Sequence, residues 1–296
     1  MKDSFLVSVI TPFYNGNKYM KQLFDVLENN LRMLRKDYPN ANLELVIVND
    51  SPSSIVEIPD VNTSFIYKIV NHEKNAGIHQ ARVTGLNNCN GDYILFLDQD
   101  DVLLERAIVS QIKILFEKNA DAVICNAYME KEDGSSYLLY KSKTDFRLLN
   151  DLDFYLKSHN IIKSPGQCLI KKNSIPPEWM EYIMKRNGAD DLFLWILLLE
   201  QSTEFIVNKE ALYIHKYTGV NLSNSEEKMN DSTLEIVKIA SEAKCIPEKH
   251  VVLLKRSRDF ISKFRRPSII MKCGAILKNM DLFVYLLFNK LKRSVI

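Results

Sequence analysis

Glycine and proline are scarce in this chain, at nine residues each among 296. Collagen-like and low-complexity chains are much richer in both, so those classes are excluded. Runs of eighteen uncharged apolar residues are also missing, and we therefore expect no membrane-spanning helix. The segment before Thr11 and Pro12 lacks the apolar core of a signal peptide, so no secretion leader is expected there.

The chain has only five cysteines, with no CxxC pair, and no large excess of charge of either sign. This pattern argues against a disulfide scaffold or a zinc site and predicts reduced thiols in a cytoplasmic protein. The net charge of +2 predicts no nucleic-acid partner. Residues 250–296 nevertheless hold eleven Lys and Arg against two Asp, a net +9. This basic tail predicts an anionic membrane surface as its partner.

The glycine-rich motifs GxGxxG and GxxxxGK[ST] are absent, so any bound phosphate is held differently. What the sequence does contain is short apolar runs that alternate with helical stretches. This alternation predicts an α/β fold with a Rossmann-like, mostly parallel central sheet flanked by helices. Predicted strands are Val7–Ile10, Leu43–Val48, Phe65–Val70, Tyr93–Leu97 and Ala120–Cys125; predicted helices are Asn17–Lys36, Gly77–Asn88, 102–118 and 188–200; residues 126–175 are predicted to be irregular.

Polar side chains follow three of the predicted strands, namely Tyr14, Asp50 and the pair Asp98 and Asp100. Ligands of open α/β sheets bind beyond the carboxyl ends of the strands, so these side chains are expected to converge. Two carboxylates one residue apart at the end of a buried strand favour a divalent cation, and Mg²⁺ or Mn²⁺ binds one or two carboxylates together with water and phosphate. An Asp-rich turn also caps helices, which is the alternative role for Asp101.

Five segments occur in an order that resembles the family-2 glycosyltransferases of the GT-A fold, over about residues 5–225. They are VSVITPFYNG, ELVIVNDS, NAGIHQARVTG, GDYILFLDQDD and NGADDLFLW. The resemblance implies inverting transfer of a sugar from a nucleoside diphosphate donor, with Mn²⁺ or Mg²⁺ as cofactor. It implies donor contacts from Pro12, Phe13, Tyr14, Asp50, Asn75, Arg82, Asp98 and Gln99. It also implies metal ligation by Asp100 and Asp98, with His215 as either a further ligand or a structural histidine.

Transfer requires a base, because an acceptor hydroxyl is a poor nucleophile until its proton is removed. The resemblance assigns this role to Asp191, although Asp190 stands where relatives more often have Glu, so which of the two faces the acceptor stays open. Candidate acceptor contacts are Gly166, Trp179 and Asp190. The alternatives are a tight turn for Gly166 and helix capping for Asp190. Trp195 is expected in the core and His79 on an exposed helix start.

The predicted domains are a nucleotide-sugar half at 1–110, an acceptor half at 111–228 and a helical basic extension at 229–296. Within that extension, residues 269–291 interleave apolar residues with lysines, which predicts a helix lying on a membrane; packing on the domain is the alternative. The expected function is synthesis of a surface or capsular polysaccharide. A UDP-sugar donor is favoured, with dTDP open, and the acceptor is a lipid-linked glycan at the inner face of the membrane. The alternatives are a sugar-1-phosphate nucleotidyltransferase and a catalytically silent glycan-binding scaffold.

Overall fold

The computed structural model describes residues 4–217, Gly219 and residues 225–294. The chain forms two compact units, and neither is continuous in sequence. The first unit comprises Met1–Leu139, Ile162–Lys185 and Thr203–Asn221, and the second comprises Tyr140–Ile161, Arg186–Ser202 and Leu222–Ile296. The predicted functional division at residues 110 and 228 concerns donor and acceptor binding and stays a prediction.

The first unit is built on a sheet of nine strands, counted over the described residues. They are β1 (Leu6–Phe13), β2 (Asn42–Asn49), β3 (Ile66–Asn71), β4 (Tyr93–Phe96), β5 (Val102–Leu103), β6 (Ala122–Glu130), β7 (Ser136–Leu138), β8 (Cys168–Lys171) and β9 (Phe205–Lys216). The spatial order is β3-β2-β1-β4-β8-β6-β9-β5, with β7 paired to β6. The strands β3, β2, β1 and β4 run parallel to one another, whereas β8 runs antiparallel to both β4 and β6.

Helices cover both faces of the parallel strands. The helices of this unit are α1 (Asn17–Asp37), α2 (Ile78–Asn87), α3 (Ala107–Lys118) and α6 (Pro177–Glu181). Apolar residues at helical spacing on α1, such as Leu23, Leu27 and Leu34, join the same core as Val7 and Val9 of β1. On the opposite face, α2 approaches β1 so closely that a Cβ added to Gly85 would lie 2.2 Å from Cγ2 of Ile10. The predicted α/β fold is confirmed.

The predictions for residues 102–118 and 126–175 are wrong in part. The start of the predicted helix is the short strand β5, because Val102 pairs with Ile214 of β9, which follows more than a hundred residues later. The stretch predicted to be irregular contains most of β6 together with β7, β8, α4 (Lys143–Leu148) and α5 (Leu152–Lys157). These elements are too short to show a readable hydrophobic period.

The second unit is helical in its described part. Besides α4 and α5, its helices are α7 (Asp190–Glu200), α8 (Glu226–Ala243), α9 (Glu248–Arg265), α10 (Ile269–Lys278) and α11 (Met280–Ser294). The most apolar of these is α7, in which Phe193, Trp195 and Leu198 are fully buried, so the expected core position of Trp195 is confirmed. Across the described residues, no helix combines the length and the apolar character that a membrane crossing requires.

The basic tail forms three helices. The first, α9, is packed into its unit through Val251, Leu254 and Phe260. The single helix predicted for residues 269–291 is divided into α10 and α11 at Asn279, whose buried amide donates to the carbonyl of Ala275 at 3.1 Å. These two helices contact Phe260 through Ala275 and Leu282, and their outer face stays exposed.

Candidate active site

The loop that follows β4 carries three carboxylates, Asp98, Asp100 and Asp101, which we call the acid cluster (residues 98–101). The strand supplies four buried apolar residues and ends immediately before this polar segment. Parallel strands place their carboxyl ends at one edge of the sheet, and β1, β2 and β4 are mutually parallel neighbours. The cluster therefore lies at the edge where the ends of these three strands meet.

Asp98 is paired with a buried arginine. Nη2 of Arg82 lies 2.6 Å from Oδ1 of Asp98, and only 3% of Arg82 is exposed. The hydroxyl of Ser164 approaches the other carboxylate oxygen at 3.4 Å. Arg82 is therefore not a surface cation, because its charge is buried and paired inside the unit. An ion pair of this kind fixes Asp98 in position and neutralises it.

Asp101 is buried and bound on both oxygens by residues of β9. The hydroxyl of Tyr213 donates to Oδ2, Nδ1 of His215 lies 2.9 Å from the same oxygen, and the backbone N–H of Lys216 donates to Oδ1 at 2.8 Å. Tyr213 also contacts the hydroxyl of Ser164 at 2.6 Å. The pairing of β5 with β9 brings these groups together, because Leu103 lies opposite Tyr213.

These contacts shift two pKa values upward. Burial, followed by the charges of Asp101 and Asp98, raises the pKa of Tyr213 well above its ordinary value. Burial alone would lower the pKa of His215, but the hydrogen bond to Asp101 and the surrounding carboxylates raise it. A neutral Tyr213 is therefore a donor to Asp101, and His215 carries its proton more readily than an exposed histidine does.

Asp100 occupies a different electrostatic position from its two neighbours. Burial and the negative charges of Asp101 and Asp98 raise the pKa of Asp100 to about 6. Asp98 has Arg82 and Asp101 has His215 as ion-pair partners, whereas Asp100 forms no ion pair with any residue that the structure describes. A carboxylate that both burial and its neighbours make costly to ionise is stabilised by an added cation.

The side chains at this position suit a metal ion that binds few protein ligands. Over the described ranges, no group of three or more His, Cys, Asp or Glu side chains is arranged to hold a metal. Mg²⁺ usually binds one or two carboxylates and fills its remaining positions with water and substrate phosphates. Asp100 and Asp98 match that requirement, and the Asp101 contact at Nδ1 of His215 resembles the support that metal-bound histidines commonly have.

A second group of contacts shapes the ends of β1 and β2. The side chain of Gln99 accepts from the N–H of Tyr14 and donates to its carbonyl, both at 3.1 Å. The ring of Tyr14 is left 57% exposed. Asp50 accepts from the N–H groups of Ala76 at 2.7 Å and Gly77 at 2.9 Å, so it fixes the turn before α2.

The catalytic candidate belongs to the second unit and opens α7. Asp191 is half-buried, and its Oδ2 accepts from Nδ2 of Asn160 at 2.7 Å while its Oδ1 accepts from the N–H of Leu192 at 2.7 Å. Negative charge in the first turn of a helix is favoured by the helix dipole. Asp190 is 2% exposed and Asp191 is half-buried, so Asp191 is the more accessible of the two, and the acceptor contact of Asp190 stays a prediction.

A comparison with known protein families matches residues 8–175 to the description "Glycosyl transferase family 2". The chain belongs to this family. The sequence-based prediction of a family-2 glycosyltransferase is therefore confirmed.

Relatives among curated proteins carry the same kind of name. Glycosyltransferase GlyG of Streptococcus pneumoniae is 30% identical over 144 residues, which are 48% of this chain and 45% of that protein. An uncharacterized glycosyltransferase of Rickettsia prowazekii, RP339, is 32% identical over 234 residues, or 75% of this chain and 69% of the relative. The match to GlyG thus spans less than half of that protein.

Solved structures share the fold. Staphylococcus aureus TarS (residues 1–349) in complex with UDP-GlcNAc superposes with a TM-score of 0.60 at 17% identity, covering 93% of this chain and 81% of that one. The mannosyltransferase PcManGT of Pyrobaculum calidifontis, in complex with GDP-Man and Mn²⁺, superposes with a TM-score of 0.51 at 14% identity, covering 98% and 83%. At these identities the likeness establishes the fold alone.

Several residues of this family-2 chain that are predicted to contact a ligand are buried. Phe13 is fully buried in the core, so its ring does not face a nucleotide. Trp179 is also fully buried, with its ring 4.6 Å from His79 and 5.4 Å from Phe96 between centroids, which leaves no face for a sugar. His79 is itself 1% exposed, so its predicted exposure is wrong.

Gly166 is buried as well, and it lies in the tight turn that is its alternative interpretation. A Cβ at this position would lie 2.4 Å from Cε2 of Tyr213, so the absence of a side chain lets the turn pack directly against that ring. The turn is closed by Ser164 and Gln167, which form reciprocal capping bonds. It therefore supports Tyr213 beneath Asp101 and is not an open acceptor surface.

The sequence analysis did not identify three supporting residues. His72 bridges Asp50 at 2.8 Å and Thr84 at 2.9 Å. Tyr213 had a readable signal, since it lies two residues before His215 and residues i and i+2 share one face of a strand. Asn160 had none, because its partner Asp191 follows 31 residues later.

Proposed function

We propose that this chain transfers one sugar from a nucleoside diphosphate donor to a hydroxyl of a growing glycan, with inversion at the anomeric carbon. Its family membership supports glycosyl transfer, and the acid cluster is the observation that carries the rest. In that cluster Asp98 is paired with Arg82 and Asp101 accepts hydrogen bonds from β9, while Asp100 has a raised pKa and suits a cation. A diphosphate needs such a cation as its partner.

The donor lies against the ends of β1 and β2 in this proposal. The exposed ring of Tyr14 stacks on the base, next to Pro12 and with Gln99 holding the backbone of Tyr14. Asp50 keeps acceptor capacity beyond its bonds to Ala76 and His72 on Oδ1 and Gly77 on Oδ2, because a carboxylate has about four lone-pair sites. Asn75, in the exposed turn before α2, contacts the same nucleotide.

The proposed cofactor is Mn²⁺ or Mg²⁺, which Asp100 and Asp98 would hold, with His215 either as a further ligand or as a structural histidine. When bound, the ion supplies neutralising charge for the departing nucleoside diphosphate. The chain's own part is to hold these ligands still: Arg82 orients Asp98, and Asp101 orients His215. Asp191 accepts the proton of the acceptor hydroxyl during attack on the anomeric carbon.

A UDP-sugar is the favoured donor, since the TarS structure with a related fold contains UDP-GlcNAc. A thermal-shift panel of UDP-, GDP- and dTDP-sugars with and without Mn²⁺ tests this proposal. A ligand at 100 times its dissociation constant stabilises the folded state by about 2.7 kcal/mol. We expect a shift with one base that depends on Mn²⁺. No shift with any donor would favour the silent scaffold, and pyrophosphate formation from a sugar phosphate and UTP would favour the nucleotidyltransferase.

We further propose that the acceptor is a lipid-linked glycan of a surface or capsular polysaccharide, and that α10 and α11 rest on the anionic inner face of the cell membrane. Ile270 is 85% exposed and Leu277 is 76% exposed, with Lys278 on the same open surface. Apolar side chains flanked by lysines are typical of helices that lie in the interface of anionic bilayers.

Vesicle sedimentation of the full chain tests this surface. The double substitution Ile270→Glu and Leu277→Glu should abolish binding to vesicles that contain phosphatidylglycerol. Val252→Glu is the matched control, because Val252 is 58% exposed on the packed helix α9. Equal binding by both variants, or equal binding to neutral vesicles, would contradict the membrane proposal.

A further inference from the structure

The end of α5 is held by two side chains of α9. The last carbonyls of a helix have no partner within it and need donors from elsewhere. The hydroxyl of Ser257 donates to the carbonyl of Leu156 at 2.6 Å, and Nη2 of Arg258 donates to the carbonyl of Ser158. The helix α9 therefore completes the hydrogen bonding of a segment about 100 residues earlier in the chain.

Arg258 is an unusual residue for this task. It is 8% exposed, and burial together with the charge of Arg265 lowers its pKa to about 10. Within the part of the chain that the structure describes, Arg258 forms no ion pair, and its donors reach Ser158 and Ser257 instead. A buried guanidinium is costly to desolvate, and here the partial negative charge at the end of α5 offsets that cost.

The segment held in this way leads directly to Asn160. Its amide donates to Oδ2 of Asp191 at 2.7 Å, while the N–H of Leu192 donates to Oδ1 at 2.7 Å. Both oxygens of the carboxylate are thus engaged by donors with fixed positions, one from α7 itself and one from the end of α5. Such bonds restrict the rotation of the Asp191 side chain.

We propose that Asn160 is a positioning residue for the base Asp191, and that Ser257 and Arg258 of α9 hold Asn160 in place. This inference rests on the proposed role of Asp191. A base must be held within hydrogen-bonding reach of the proton it removes, and a small misplacement is costly. The basic tail is then part of the transfer machinery through α9, besides carrying the membrane surface on α10 and α11.

The test compares Asn160→Ala with Asp153→Asn, a matched control on the exposed side of α5. The assay measures release of nucleoside diphosphate, with water as acceptor, from the nucleotide sugar that gives the largest thermal shift. Loss of a hydrogen bond to a charged group predicts a fall in kcat of about 10- to 100-fold for Asn160→Ala. The KM and the thermal shift for the donor should be unchanged, and the control should stay within about twofold of the wild type.

Arg258→Met gives a second, independent variant, because Met keeps the apolar stem while removing the guanidinium. We expect a smaller fall in kcat in the same direction, again with donor KM unchanged. Wild-type kcat in Asn160→Ala, or an equal loss of donor affinity and kcat, would overturn the inference while leaving the proposed function intact.

Crystal structures provide a measurement that does not depend on turnover. In Asn160→Ala the carboxylate of Asp191 should occupy a second rotamer, and an unmoved carboxylate would contradict the positioning role. Absence of both donor binding and turnover in the wild type is a different result, since it would overturn the proposed function first.

Discussion

The acidic residues of the two units are held in different ways. In the acid cluster of the first unit, carboxylates crowd together at a strand end, and Arg82 and His215 bind two of them. In the second unit, Asp191 opens a helix and is bound by two neutral donors, Asn160 and Leu192. Crowded carboxylates favour a cation, whereas a carboxylate oriented by neutral groups keeps its oxygens ready to accept a proton. In the proposed reaction, aspartate thus serves two tasks, cation binding in the first unit and proton acceptance in the second.

The largest expected effect comes from removing the proposed proton acceptor, Asp191. Asp191→Asn should lower kcat by about 10²- to 10⁴-fold, because a general base contributes roughly that much. The metal-dependent thermal shift produced by the donor should be retained, since Asn keeps the shape of the side chain. Steady-state kinetics and thermal shift on the same preparation check this prediction, and a parallel loss of donor binding would show that the two acidic sites are not separate in role.

The next effect is structural and concerns Asp101. Asp101→Ala leaves the hydroxyl of Tyr213 and the ring of His215 without their buried acceptor. Breaking a buried charge pair costs about 3–5 kcal/mol, so the free energy of unfolding should fall by that amount. Urea denaturation measures it. A loss below about 1 kcal/mol would mean that Asp101 is not a structural member of the cluster.

Asp100→Asn probes the cation. This change removes the carboxyl group of Asp100, whose pKa is raised to about 6 by burial and by the charges of Asp101 and Asp98. We expect the Mn²⁺-dependent part of donor stabilisation to disappear, a loss of about 2.7 kcal/mol when the donor is at 100 times its dissociation constant. The free energy of unfolding without donor should stay the same or rise, because one of three neighbouring negative charges is removed. Unchanged Mn²⁺ dependence would assign the ion to other residues.

The smallest expected effect is a pH-dependent change in the stability of the second unit. Nε of Arg293 lies 2.6 Å from Oδ1 of Asp145. Burial alone would raise the pKa of Asp145, but hydrogen bonds from Lys141, Ser142 and Arg293 lower it. The pair therefore stabilises the fold above about pH 4, the ordinary pKa of Asp, and this contribution is lost as the pH falls through the lowered value. Arg293→Ala should cost about 1 kcal/mol at pH 7 and less in acid. A difference from wild type that does not change with pH would contradict this.

How well the sequence predicts a contact depends on how far apart the two contacting residues lie in the chain. The strand ends at Tyr14, Asp50 and Asp98 were placed correctly because each follows a local apolar run. The bonds of Asp101 were not foreseen, since they depend on a strand more than a hundred residues later. Trp179 shows the same limit: it follows two prolines and Glu178 in sequence, and its core position depends on tertiary packing against His79 and Phe96.

The division of the chain into interleaved segments has a consequence for synthesis on the ribosome. Strand β6 pairs with β9 over its whole length, and segments of the second unit are made between the two strands. Closing such a separation costs loop entropy before any contact compensates for it, so the sheet of the first unit is completed late. The bonds from α9 to α5 form later still, because α9 follows both β6 and β9 in the chain. Until then the segment that carries Asn160 lacks its support, so we expect the carboxylate of Asp191 to become ordered among the last steps of folding.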